Sequence, residues 1–146
     1  MGKLEHWELV QCKMSAKAFR VAYEKGYDMR DVYKRALTSF EGSITYSPDQ
    51  CGIWCGGEYV LSIWEDGYEF KKSTEVYNIN AIDWIGYMLR YWVHYRPKDS
   101  SQTIYDTVSW DDWLQCYAGF HCIAPELAID NFIELHKLGS AGVRRI

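Results

Sequence analysis

A chain of 146 residues suits one domain and is long enough to bury a core without staples. Its net charge is −4 with basic residues scattered, so the long cationic stripe that nucleic-acid binding needs is missing. Hydrophobic content of 48% is ordinary, but aromatics reach 16%, with seven Trp and twelve Tyr, enough to serve a core, a partner surface or both.

No uncharged apolar run approaches the ~18 residues of a membrane-spanning helix. The start Met1-Gly2-Lys3-Leu4-Glu5-His6-Trp7 has no apolar signal core, and His6 stands where a myristoylation pattern needs Ser or Thr. Five cysteines, an odd number, then point to free thiols in a reducing cytosol.

Along the chain, Leu4, Trp7, Val10 and Met14 fit one helical face over 3–14. Ser15 caps a second helix over 16–25, with Phe19, Ala22 and Tyr23 inward and Gly26 closing it; one continuous helix is the alternative. Asp28 opens a helix over 29–40, with Asp31 in its first turn and a stripe of Val32, Tyr33, Ala36, Leu37 and Phe40. Residues 41–57 read as a loop with an extended piece at 44–46, and a short helix over 58–64 ends at Asp66-Gly67. Residues 68–77 are either a strand or an exposed loop.

The organising stretch is 80–96. Trp84, Tyr87, Tyr91, Trp92 and Tyr95 alternate there with Ile82, Ile85, Met88, Leu89 and Val93. Asn80 is a suitable N-cap and Pro97 a stop, which gives about four turns of helix that is apolar nearly all round and therefore buried. One strip differs: Asp83, Arg90 and His94 share a face with Gly86 and Tyr87. Gly86 lowers helix stability, so a close-packed neighbour is expected there. The strip serves either recognition or catalysis, or else a structural ion-pair network of the kind amphipathic helices commonly carry.

Beyond Pro97, Ser100 or Ser101 caps a short helix through Val108. Ser109 with Asp112 makes a capping box before a helix over 110–118. Pro125 and Glu126 open a final helix, on which Leu127, Ala128, Phe132, Leu135 and Leu138 form the apolar stripe. Residues 138–146 are expected to be a loose tail. The expected fold is mainly α, a compact single-domain helical bundle around the aromatic helix, with a short strand or hairpin near 44–46 and 68–77.

Candidate chemistry is sparse. Cys51 and Cys55 have loose metal-ligand spacing, but Cys116, His121 and Cys122 do not form a familiar second pair, so buried free thiols are the better account and no metal or cofactor is expected. A nucleophilic Cys116 or Cys122 with His121 or His94 is conceivable, yet the spacing does not require it. Asp112, one turn before Cys116, would raise that thiol's pKa. Cys55-Gly56-Gly57 lacks the spacing and lysine of a phosphate loop. No signature demands an enzyme, whereas Trp, Tyr and Arg are the residues of interface hot spots.

The run Ala81-Ile82-Asp83-Trp84-Ile85-Gly86-Tyr87-Met88-Leu89-Arg90-Tyr91-Trp92 resembles the Tyr-Trp-(Ile/Ala)-Gly-Trp/Tyr helix of a small bacterial family. Ser101-Gln102-Thr103-Ile104-Tyr105, Tyr117-Ala118-Gly119-Phe120-His121 and residues 126–132 follow in that family's order. Phe40-Glu41-Gly42 and Gly56-Gly57-Glu58-Tyr59 match more loosely, and residues 1–27 hardly at all. Asp83 departs from the family's usual Tyr or Glu, so the resemblance assigns it no role. The resemblance implies short operons in gut-dwelling Gram-positive bacteria, beside small toxin–antitoxin-like genes. That company suggests a cytosolic protein whose partner is encoded nearby.

Three functional expectations follow. The first is a noncatalytic protein-binding module, antitoxin-like or accessory, with Tyr87, Arg90, His94, Tyr117 and His121 as the polar part of its surface. The second is a small enzyme or nucleotide-handling domain with His94, Arg90 and His121 in one pocket. The third is DNA binding through Lys17, Arg20, Lys25, Arg30, Lys34 and Arg35, which the acidic remainder opposes.

Overall fold

The computed structural model describes residues 4–42 and 56–140. Seven helices make up the described chain: α1 His6–Glu24, α2 Met29–Gly42, α3 Gly57–Glu65, α4 Ile79–Tyr95, α5 Ser101–Thr107, α6 Trp110–Phe120 and α7 Pro125–Ser140. The fold is mainly α. One apolar cluster draws on all seven, from Phe19 and Val32 through Trp64, Trp92, Ile104 and Trp113 to Phe132.

The aromatic helix is interior, as its all-round apolarity predicts. Ile82, Ile85, Met88, Leu89, Tyr91 and Trp92 are buried. It starts earlier than expected: Asn78 is the N-cap, its side chain accepting from the Asn80 backbone N–H at 2.9 Å. Either asparagine can cap, but Ala81 and Ile82 are buried and need the extra half-turn to face inward. At the other end Arg96 leaves helical geometry immediately before Pro97.

α1 and α4 run antiparallel in close contact, and Gly86 is the reason they can. A methyl group placed on it would stand 2.8 Å from the Ser15 carbonyl oxygen and 2.9 Å from Ala16 Cα. Both atoms are backbone and cannot swing aside. The same crossing explains why no helix boundary falls at Ser15. Its side chain is buried at the contact, where small size matters more than capping preference. α1 therefore runs unbroken to a glycine end: Gly26 has φ +83°, its N–H bonds the Tyr23 carbonyl, and Tyr27 N–H bonds that of Ala22. α3 grips α1 from another side, where a methyl on Gly57 would lie 2.8 Å from Ala18 N.

Residues 66–78 form no strand, only an isolated antiparallel bridge between Tyr27 and Lys72. The segment is held instead by distant partners. Asp31 accepts from the Tyr68 hydroxyl and from Lys71 N–H, Ser73 N–H donates to the Gly26 carbonyl, and Tyr77 N–H donates to the Tyr23 hydroxyl. Among the described residues no second strand continues a ladder, and 68–77 does not fold back on itself as the expected hairpin. The expected piece at 44–46 lies outside the described residues, as do Cys51, Cys55 and 141–146.

The C-terminal half follows its sequence signals more closely. Ser100 caps α5, and Ser109 with Asp112 makes the reciprocal capping box of α6. α7 begins at Pro125 and continues through Ser140, past the tail boundary expected at 138. Its inward residues are Ala128, Ile129 and Phe132, whereas Leu127 and Leu135 are 55% and 39% exposed. That corrects the expected stripe. At about 100° per residue, Leu127 points well away from the face shared by 128, 129 and 132, whereas Leu135, one heptad after Ala128, lies at the edge of that face.

Candidate functional site

The ionisable strip of α4 runs along α1, with Arg90 and His94 enclosed and Asp83 still 43% exposed. Pairing runs antiparallel along the contact: Asp83 with Arg20 at 2.7 Å, Arg90 with Gln11, and His94 with Gln11 and Glu8. Arg90 is only 3% exposed, and its Nη2 donates to Gln11 Oε1 at 3.2 Å. The same oxygen lies 2.9 Å from His94 Nε2, which must donate because a carbonyl oxygen only accepts. Trp7 closes the end of the seam, edge-on to the His94 ring at 5.7 Å.

Electrostatics in this seam suppress reactivity. The Glu8 carboxylate, 3.5 Å from His94 Nδ1, would favour an imidazolium, but burial and the Arg90 guanidinium outweigh it and bring the His94 pKa down to about 4. Cys12, fully buried beside them, is pushed up to about 12 by burial despite the lowering pull of Arg90. Its thiol is protonated and inert near neutrality. Tyr87 stacks on Tyr91 at 6.1 Å and is raised by burial. It heads a row continued by Tyr91, which donates to Glu126, and Tyr95, which donates to Asp130 at 3.2 Å.

Tyr117 and His121 form a second, separate group at the corner between α6 and α7. Their rings stack at 4.2 Å and 15°. The Tyr117 ring also meets Trp84 edge-on at 5.6 Å, which fixes the platform on α4. His121 Nδ1 lies 2.6 Å from the Tyr117 carbonyl, so that nitrogen carries the proton. The exposed Cys122 sulfur stands 3.6 Å from Nε2. Cys122 is thus not the buried hydrophobe expected of it, because its position just past the end of α6 turns it to solvent. Cys116 is half-buried, and burial and Asp112 raise its pKa.

Of the five residues expected to act together, the structure joins Arg90 with His94 and Tyr117 with His121, and places Tyr87 on the tyrosine row. Sequence reading missed Gln11, Glu8 and Cys12. Glu8 and Cys12 belong with Ser15, Phe19 and Ala22 to a series at alternating steps of four and three, which marks a packed face without naming its partner, and Gln11 lies outside that series.

The basic segment spends its charge inside the molecule. Lys17 pairs with Glu58 at 3.7 Å, Lys25 with Glu65 at 2.6 Å and Arg30 with Asp111 at 2.9 Å, while Arg35 donates to the Trp64 and Asp66 carbonyls. Among the described residues no three of His, Cys, Asp and Glu group closely enough to hold a metal ion. A depression of about 330 Å³ between α5 and α7 is lined by residues including Arg96, Asp99, Asp106 and Lys137. A smaller one of about 80 Å³ lies between α2 and α5. None of the five expected site residues lines either. No helix among the described residues is long and apolar enough to cross a membrane. Compared with protein families, curated proteins and solved structures, the chain matches none.

Proposed function

We propose that this chain is a noncatalytic protein-binding module whose contact face is the outward flank of α7 with the adjoining Tyr117–His121 corner. The observation that carries this is the exposure of Leu127 and Leu135, at 55% and 39%, along a helix whose Ala128, Ile129 and Phe132 are packed into the core. Apolar side chains spaced along one helical flank are the anchors of helix-in-groove recognition. The stacked rings of Tyr117 and His121 add an amphipathic surface of the type enriched at interfaces.

Two features weigh against the other readings. An enzyme working through Arg90, His94 and His121 would need them around one cavity, and instead the first two are bound into the α1–α4 seam. A DNA-binding surface would need free cations, and those of α1 and α2 are largely engaged with acids and carbonyls. An antitoxin-like or accessory role, with the partner encoded nearby, rests on the family resemblance alone.

The test is co-purification of the tagged protein, expressed in its own host, with the products of neighbouring genes. A stoichiometric partner that is lost from the Leu127→Asp/Leu135→Asp variant is the expected result. A partner held equally by that variant would move the contact elsewhere, and no partner at all would overturn the reading.

A further inference from the structure

The depression between α5 and α7 encloses about 330 Å³, at the small end of the range for ligand sites, and its lining carries charges of both signs. Arg96, where α4 ends, is tied by its Nε to Asp99 Oδ2 at 2.7 Å. The same oxygen accepts from the indole N–H of Trp92 at 2.9 Å, and Trp92 is fully buried. The guanidinium is thus anchored to the core through one nitrogen. Among the described residues its Nη1 and Nη2 keep their donors for a further acceptor. Paired N–H groups on a rigid plane are the geometry that grips a carboxylate. Lys137, in the last turn of α7, is a second lining cation and forms no ion pair or hydrogen bond among the described residues.

The α5 wall is acidic. Asp106 takes the Gln102 amide on Oδ1 at 2.8 Å, which leaves its other oxygen open, and it pairs with neither cation of the lining. Thr107 spends its hydroxyl proton on the Thr103 carbonyl at 2.6 Å, so toward a ligand it can only accept. Arg96 and Lys137 are balanced by Asp99 and Asp106. An inorganic anion would meet the Asp106 carboxylate, and a simple amine would meet Lys137. A ligand with no net charge but separated ends meets each group with its opposite.

We propose that this depression binds a small zwitterion of the amino-acid class, with its carboxylate on Arg96 and Lys137, its ammonium on Asp106 and Thr107, and its aliphatic part against Ile133.

The test titrates the purified full chain with L-leucine and, separately, with γ-aminobutyrate, followed by amide NMR shifts at constant ionic strength. At least one is expected to give saturable shifts at tens of millimolar or below, centred on 103–107 and 133–137; the two arms tell an α-amino acid from one with wider charge spacing. Analogues lacking one charge (isocaproate and isopentylamine, or butyrate and propylamine) are expected to bind about fivefold more weakly. Lys137→Met and Asp106→Asn, both at exposed positions outside the core, should each weaken binding by a similar factor. The proposal is overturned if neither zwitterion gives saturable shifts, if a one-charge analogue binds as tightly as its parent, or if inorganic phosphate binds more tightly than both. The titration needs no protein partner, so its outcome is separate from that for the contact face on α7.

Discussion

The molecule holds two cysteine–histidine neighbourhoods with opposite character. In the α1–α4 seam, Cys12 and His94 are enclosed with Arg90, and burial drives the thiol up to about 12 and the imidazole down to about 4. Each is thereby confined to its neutral form near pH 7. At the α6–α7 corner, Cys122 and His121 are exposed, with the ring oriented by a backbone carbonyl and the sulfur 3.6 and 3.9 Å from its two nitrogens. Residue type is the same in both places. Desolvation makes the difference: the first pair is enclosed and held neutral as part of the packing, and the second stands in solvent.

The contrast can be broken first at its tightest point. Gly86→Val would drive a side chain into the Ser15 carbonyl and Ala16 Cα, and separating the helices is expected to cost about 3 kcal/mol or more in urea unfolding. A loss below about 1 kcal/mol would mean that the seam is not close-packed.

Acid attacks the same seam. His94 has a folded pKa of about 4 against 6.5 for the free side chain, so between those values the unfolded chain binds the extra proton. The penalty is absent above pH 6.5, grows as pH falls, and is complete below about 4. Stability is expected to fall by about 3 kcal/mol from pH 7 to pH 4 through this group. The His94→Gln variant should show a correspondingly flatter profile, and parallel profiles would remove His94 from the account.

Gln11→Met deletes an acceptor shared by His94 and Arg90 and is expected to cost about 2 kcal/mol, measured in the same way. At the exposed corner the expected effect is smallest. Leu127→Asp and Leu135→Asp should each shift stability by no more than about 0.5 kcal/mol, because neither side chain belongs to the core. A loss of several kcal/mol from either would place that leucine inside, and the proposed contact face would go with it.

How much of this was legible depended on where the deciding partner lay. Short-range signals carried through: Gly26 ends α1, Ser109 and Asp112 cap α6, Pro125 opens α7, and the aromatic density of 80–96 forces burial. Even the close approach at Gly86 could be inferred from its cost to the helix. The polar strip was found but its destination was not, since Glu8 and Gln11 look like ordinary surface residues until α1 is known to lie against α4. Residues 66–78 were undecidable for a similar reason, as Asp31, Gly26 and Tyr23 hold them from far back in the chain. The exposure of Leu127 and Leu135 was obscured because Ala128, Ile129 and Phe132 supply an apolar face that runs on from Leu135.

The glycine-mediated crossing of α1 and α4 also sets a timetable. α1 is made early and α3 soon brings Trp64 against Phe19, but the side of α1 that meets α4 is covered only after the chain to Ile79 has been synthesised. Until then the nascent protein carries an uncovered apolar ridge, and its completion waits on loop closure over that whole interval. Newborn chains should therefore depend on shielding by chaperones far more than the finished molecule's helical content would suggest.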